Sequence, residues 1–468
     1  MKRGGTVIES GGFGCIFKPQ IKCDKRFKIY GNKKHDKNGI SKIMRQHNGI
    51  DEYNEIIKYT PILKTIPNYK NYFLISQFSI CSPAKITTDD LKDFDKVKCS
   101  PLKKIGITKN NINRNLHKLL ALNMPYGGID IDSYIANNIL NHAKIIEFNN
   151  KMIDLLDNAI LPMNKKGIFH SDMKANNILV NNENNALRFR IIDWGLSTIY
   201  FPDKRQQRIE DSINDDYFTN EWTYIPLVYR NRPFQFNVPF SGILFSTIFK
   251  NMYDEFLLTN QRTRRDVYSF LQNFIKEQIL SRGSGHLSNF ETIFNSAYGS
   301  TDFMHSLIQQ RKDIVWIGHN QNIEYIFDYL CDILMKYTKN DGFDVLGYLN
   351  EVYIKNVDIW GFVMSFLPLT EQIIHYELRQ PSKNTIFYKN IIQTSNDKLI
   401  KLLLKYSSSP IHIGELKQII FSLNFKLRNL SSDPRLLHNI KQRQTQTAKN
   451  HSKLKSKSIR RRNLTRKK

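Results

Sequence analysis

The chain has only five cysteines in 468 residues, at positions 15, 23, 81, 99 and 331, and none forms a CxxC pair. Paired spacing would mark a zinc site or a dense disulfide framework, so neither is expected. A reducing, intracellular setting is then the default. Long apolar runs are also lacking. The longest, near Val238 to Phe249, is too short to span a bilayer, and no N-terminal signal pattern is present. A soluble chain that is not transmembrane is expected. Acid is scarce: 43 Asp and Glu stand against 69 Lys and Arg, a formal net charge of +26. The imbalance peaks at the end, where residues 441–468 hold twelve Lys or Arg and no acid. Arg460-Arg461-Arg462 and Arg466-Lys467-Lys468 lie among Ser, Thr, Gln and Asn, a composition that cannot bury a core, so residues 429–468 read as a disordered basic tail. Such a tail suits nucleic acid, an acidic partner or an anionic membrane surface, or acts as a nuclear address. A solvated tail with no specific partner accounts for the same residues.

The densest chemistry lies in Gly167-Ile168-Phe169-His170-Ser171-Asp172-Met173-Lys174-Ala175-Asn176-Asn177, followed by Asp193-Trp194-Gly195. A carboxylate at a turn can orient an attacking hydroxyl and receive its proton, and Asp172 suits that role. Lys174, two residues on, is placed to neutralise charge on a transferred phosphoryl group. Asn177 and Asp193 offer the hard oxygen ligands that magnesium prefers. The apolar Ile178 to Val180 and Phe189 to Ile192, separated by an Asn-rich turn, predict a hairpin holding these two ligands across from each other. His170 reads as a packed scaffold residue. Single Asp and Asn residues in polar loops are commonly turn formers, but the ordered set is hard to obtain by chance.

Backbone amides approach phosphates closely only where side chains are absent. Ile8-Glu9-Ser10-Gly11-Gly12-Phe13-Gly14-Cys15-Ile16-Phe17 supplies such a glycine-rich hairpin, with Ile8, Gly11, Gly12, Gly14 and Ile16 as its nucleotide-facing residues. Its fit to G-x-G-x-x-G is loose. Gly39 to Met44 then predicts a strand carrying Lys42 to the α- and β-phosphates. Asp51 to Tyr59 has helical spacing, and Glu55, ahead of Ile56-Ile57, is preferred to Glu52 as the partner of Lys42. Tyr72 to Ile75 and Ala121 to Tyr126 read as the remaining strands of a small antiparallel sheet. The second leads into Gly127-Gly128, so that adenine would lie against Met124 to Tyr126. Residues 77–118 form an insertion of no evident role.

Together these residues resemble the eukaryotic-type protein kinase family from the glycine loop to about residue 428. The resemblance implies an α+β, two-lobed fold, with an N-lobe over residues 1–126 and a mainly helical C-lobe over 127–428. It implies ATP and Mg2+ as cofactors and a protein substrate. It also makes Asp172 the catalytic base, Lys42 a phosphate ligand and Asn177 and Asp193 metal ligands, with Lys174 typical of serine/threonine specificity. Ser171 departs from the usual Arg, which puts in doubt an activation-loop phosphorylation that works through that Arg. No Ala-Pro-Glu follows Gly195. Val357-Asp358-Ile359-Trp360-Gly361 looks like the start of the C-lobe's central helix, leaving a helical insertion over about 200–350, with helical spacing at Phe240 to Tyr253, Val267 to Leu280 and Ile323 to Tyr337. The competing alignment uses Pro239 to Phe245 as the central helix. The abundance of Lys, Asn and Ile, with these departures, resembles divergent kinases of large DNA viruses, for which a virion or host-cytoplasm setting would follow. An A+T-rich coding sequence explains the composition more simply.

The leading expectation is therefore an ATP- and Mg-dependent serine/threonine protein kinase. Aminoglycoside- and choline-type phosphotransferases share His-x-Asp-x-x-x-x-Asn and an Asp-centred metal motif, so a small-molecule kinase is the second. A pseudokinase scaffold presenting its basic tail is the third, against which the presence of Lys42, Asp172, Asn177 and Asp193 argues.

Overall fold

Alternating apolar residues between Thr6 and Met124 build a six-stranded antiparallel sheet. In this computed structural model the residues described are 6–431, apart from 13, 33, 98, 139–140, 184–185, 203–221, 223, 260–261, 287–322, 340–341 and 380–382. Nearly all of the expected basic tail, and five stretches of the expected 200–350 insertion, therefore lie outside the described residues. The strands are β1 (Thr6–Ser10), β2 (Gly14–Lys18), β3 (Tyr30–Gly31), β4 (Ile40–Arg45), β5 (Ser79–Cys81) and β6 (Leu119–Met124), in spatial order β1-β2-β4-β6-β5-β3. Helix α1 (Gln46–Leu63) follows β4 with no intervening loop. The chain is thus α+β, with an antiparallel-sheet N-terminal region and a helical C-terminal part.

Two expectations for this region are corrected. Tyr72 to Ile75 is not a sheet strand. The Ile191 N–H donates to the Tyr72 carbonyl (2.8 Å), so this buried segment pairs with the second strand of the hairpin after the 167–177 loop, and Ser79–Cys81 fills the place beside β6. The cysteines are also paired: Cys15 with Cys99 and Cys23 with Cys81. Spacing along the chain could not reveal them because each pair joins the sheet region to the 77–118 insertion across long loops. Disulfides persist in oxidising surroundings, so the ground for expecting a reducing compartment falls away. The insertion itself gains a role. Ile86, Leu91, Phe94, Leu102, Ile107 and Ile112 form a second apolar core with Val7, Phe17, Ile43 and Ala121, removing one face of the sheet from water.

After β6 come β7 (Ile129–Asp130), α2 (Ile131–Asn138), α3 (His142–Leu155) and α4 (Leu161–Lys165). Next are β8 (Ile168–Phe169), the hairpin β9 (Ile178–Glu183) and β10 (Ala186–Ile191), and β11 (Thr198–Ile199). The hairpin pairs Ile178 with Ile191 and Val180 with Phe189, as the apolar runs predict.

Phe240–Phe245 makes a 3-10 turn, and the helix expected from Phe240 begins only at Thr247. It is α5 (Thr247–Thr259), followed by α6 (Arg264–Arg282), whose start is fixed by a capping box between Thr263 and Asp266. Then come α7 (Ile323–Tyr337), α8 (Val345–Tyr348), α9 (Ile354–Met364), α10 (Leu367–Arg379), α11 (Lys383–Lys405) and α12 (Ile413–Ser431). The last helix extends past residue 428, where the helical part was expected to end.

Every residue of α9 except Lys355 is buried, and Trp360 is fully so. The helical run Val345–Tyr376 is long and apolar enough to cross a membrane by length and composition alone, unlike the Val238 to Phe249 stretch that sequence singled out. Yet 83% of its apolar window is packed inside the protein, which marks a core helix.

Candidate active site

Helix α9 fixes the 167–177 loop through one carboxylate. Asp358 Oδ2 accepts the backbone N–H of His170 (2.9 Å) and its Oδ1 that of Ser171 (2.8 Å). Burial pushes the Asp358 carboxyl above its ordinary pKa, while His170 and the two amides oppose that shift. His170 is buried, its Nε2 within 2.9 Å of the Ile192 carbonyl, and its ring lies 5.1 Å from that of Trp194. Trp194 also packs on Tyr59 and Phe73. His170 therefore ties the loop to the segment carrying Asp193, as a scaffold. Ser171, with φ of 60°, sets its hydroxyl 2.7 Å from that of the buried Tyr229.

Asp172 is 7% exposed and held on both oxygens. Lys174 Nζ and Asn177 Nδ2 donate to Oδ2 at 2.8 and 2.9 Å, and Asn237 Nδ2 donates to Oδ1 at 2.8 Å. Nothing in the sequence pointed to Asn237. It sits 65 residues away, next to Phe236, whose carbonyl accepts from Trp360 Nε1 at 2.9 Å, so α9 positions this segment too.

The amide nitrogen of Asn177 is turned wholly toward Asp172, donating also to its carbonyl at 2.8 Å. That leaves Oδ1 of Asn177 without a hydrogen-bond partner among the described residues. Asp193 is exposed, and its φ of 69° places it in the left-handed region, a conformation rarely held without support from its surroundings. Among the described residues no three His, Cys, Asp or Glu cluster to cage a metal. Magnesium does not need such a cage, since one or two protein oxygens with substrate phosphates and water suffice. A partnerless amide oxygen and an exposed carboxylate fit that donor set.

Across from this loop, Lys42 Nζ meets Glu52 Oε2 at 2.6 Å. The expected Glu55 is not the partner. Because α1 starts immediately after β4, the glutamate nearer the helix start lies over Lys42, and Glu55 sits about 4.5 Å further along the axis. The Oε2 of Glu55 is buried without a hydrogen-bond partner. Burial pushes the Glu52 carboxyl up, Lys42 pulls it down, and Asp193 pushes it up again. Asp193 therefore lies close enough to act on the Lys42–Glu52 pair.

Lys42 stands directly opposite Ile16 in the β2–β4 register, so both side chains share one face of the sheet. The Gly11 N–H donates to Gly14 O at 2.9 Å, closing the turn. A Cβ on Gly14 would come within 2.6 Å of the Ile43 carbonyl, so only glycine lets the strands approach there. Gly12 is open on all sides and Ile8 is exposed. Phe13 lies outside the described residues. Glu9, which the motif did not single out, is pushed up by burial and by Asp130 and pulled down by Lys42, which places it at the same cleft. Met124 ends β6, and its carbonyl already accepts from Gln20 Nε2 at 3.2 Å. The sheet and α1 thus bring Ile16, Lys42 and Glu52 together, and the 167–177 loop brings Asp172, Lys174 and Asn177 together.

No family model matches the chain.

Proposed function

We propose that the chain is an ATP- and Mg-dependent kinase that transfers the γ-phosphoryl group to serine or threonine hydroxyls of proteins, on a two-lobed kinase-like fold. The observation that carries this reading is the carboxylate of Asp172, gripped by Lys174, Asn177 and Asn237. The Asn177 oxygen and Asp193 stand nearby, and Asp193 acts on the Lys42–Glu52 pair. A turn former in a polar loop has no need of three converging donors.

In this reading Lys42, steadied by Glu52, binds the α- and β-phosphates, and the Gly11–Gly14 turn lets backbone amides approach them. Asn177 and Asp193 would hold Mg2+, which when bound neutralises phosphate charge. Asp172 accepts the proton of the acceptor hydroxyl as its oxygen bonds to the γ-phosphorus. The bond from phosphorus to the bridging oxygen breaks, and ADP departs with that electron pair. Lys174 and Asn177 fill both lone pairs of Asp172 Oδ2, whereas Oδ1 accepts only from Asn237 and keeps one lone pair, so Oδ1 can take the proton while the carboxylate holds its position. Lys174 offsets negative charge on the transferred group.

The test is γ-labelled ATP with Mg2+ and casein, histone or a panel of small alcohols and aminoglycosides, run beside Asp172→Ala. Label on protein Ser or Thr that the variant abolishes is the expected result. Label on a small molecule alone would replace the protein acceptor, and no transfer despite ATP binding would leave a scaffold.

A further inference from the structure

Helix α6 ends at Arg282, and the chain turns through Gly283-Ser284-Gly285, with φ of 80° and 52° at the two glycines. A Cβ on Gly285 would lie 2.2 Å from the Phe234 carbonyl, so this close crossing requires glycine. The turn delivers His286, whose backbone N–H donates to Phe234 O at 2.8 Å and whose ring lies 5.2 Å from that of Phe236. Phe236 immediately precedes Asn237, the donor to Asp172.

His286 feels both charges of the catalytic loop. Burial pulls its pKa below the ordinary histidine value, Lys174 pulls it further down, and Asp172 pulls it up. A neutral imidazole offers one donor and one acceptor nitrogen. Neither nitrogen has a hydrogen-bond partner among the described residues, and Nδ1 is buried. A buried polar atom left unpaired costs stability unless something completes it, and functional sites are where such atoms persist. Asp172 and Lys174 flank the place where an acceptor hydroxyl must stand. Through its contact with Phe236 the imidazole adjoins the segment whose Asn237 holds Asp172, and so stands on the side of Asp172 that Asn237 closes.

We propose that His286 is an acceptor-binding residue, its imidazole hydrogen-bonding the segment of a protein substrate that presents the hydroxyl to Asp172. The helical insertion then contributes part of the substrate site. This inference rests on the phosphotransfer reading given above.

The experiment is steady-state transfer from ATP to casein or histone by the full chain carrying His286→Ala or His286→Asn. The expected result for His286→Ala is a rise of about tenfold in the acceptor KM, the size of one lost hydrogen bond, with the KM for ATP as in the wild type. His286→Asn, which keeps a polar group near the Nδ1 position, should recover part of the loss. An unchanged acceptor KM, or an equal rise for acceptor and ATP, overturns the inference while leaving the phosphotransfer reading standing. Label appearing only on a small alcohol or aminoglycoside overturns the protein-acceptor assignment of His286. A wild-type chain that transfers no label to any acceptor overturns both, and is told apart because the defect precedes any substitution.

Discussion

Asn237 donates from Nδ2 to Oδ1 of Asp172 at 2.8 Å, closing the one side of the carboxylate that the catalytic loop's own residues leave open. Lys174 and Asn177 both act on Oδ2. Without Asn237 the carboxylate could rotate about its Cβ–Cγ bond and lose its aim at the acceptor. A hydrogen bond to a charged group contributes about 1.5–3 kcal/mol. Asn237→Ala should therefore lower kcat by about tenfold to a hundredfold, with the KM for ATP unchanged, because its hydrogen bond goes to Asp172 and not to the Lys42–Glu52 pair. Steady-state kinetics at saturating ATP reads both quantities.

Glu52, rather than Glu55, meets Lys42. Glu52→Gln should raise the KM for ATP about tenfold, the size of a lost charge-assisted bond, and Glu55→Gln should leave it close to the wild-type value. The acid limb of the pH profile carries the same information. Burial holds the Glu52 carboxyl above its ordinary value. The ion pair is therefore present above that raised pKa and lost as pH falls through it, at a higher pH than for an exposed glutamate. Glu52→Gln should abolish this limb in kcat/KM for ATP, and a limb that persists would remove Glu52 from nucleotide binding.

The 167–177 loop and its hairpin were legible because their defining contacts include local ones: Asp172, Lys174 and Asn177 span six residues, and the hairpin closes on its own Asn-rich turn. The strand carrying Lys42 was legible from its own short apolar run, although it pairs with β6 far along the chain. What sequence could not rank was a choice set by packing. Glu52 and Glu55 lie three residues apart on one helix, and only the absence of a loop between β4 and α1 decides between them. Asn237, His286 and both cysteine pairs depend on contacts across long stretches of chain, where neither spacing nor periodicity carries a signal. Asp358 is the exception. Its Asp-Ile-Trp setting marked it in sequence, although its partners His170 and Ser171 lie far upstream.

The Cys15–Cys99 bond fastens the 77–118 insertion to the sheet that carries Lys42, and Cys23–Cys81 ties the segment after β2 to β5 of that sheet. Cys15 and Cys99 are 84 residues apart, and Cys23 and Cys81 are 58 apart, so each restricts a long loop of the unfolded chain. Loops of this length gain about 2–4 kcal/mol per bond. Adding dithiothreitol, or making Cys15→Ser with Cys99→Ser, should lower the urea midpoint of unfolding. Cys331 is a buried free thiol that provides an internal control, since Cys331→Ala keeps both bonds and dithiothreitol should lower its midpoint by as much as that of the wild type. Equal midpoints for the wild type with and without dithiothreitol would mean that the four cysteines are not bonded in solution.

Asp397 on α11 gives a stability prediction independent of the active site. Burial pushes its carboxyl up to about 7, against only partial opposition from Lys401, and its Oδ1 is buried without a hydrogen-bond partner. The folded state thus holds a proton that the unfolded chain, with a pKa of about 3.9, has already released. Ionised Asp397 is disfavoured in the fold, so the penalty is absent at about pH 4. It grows as pH rises toward 7 and is constant above that. Asp397→Asn removes the charge at every pH. It should stabilise the protein most at pH 8, less at pH 6, and little at pH 4. Urea denaturation of both proteins at the three values measures this, and a gain independent of pH would show that the charge of Asp397 is not its source.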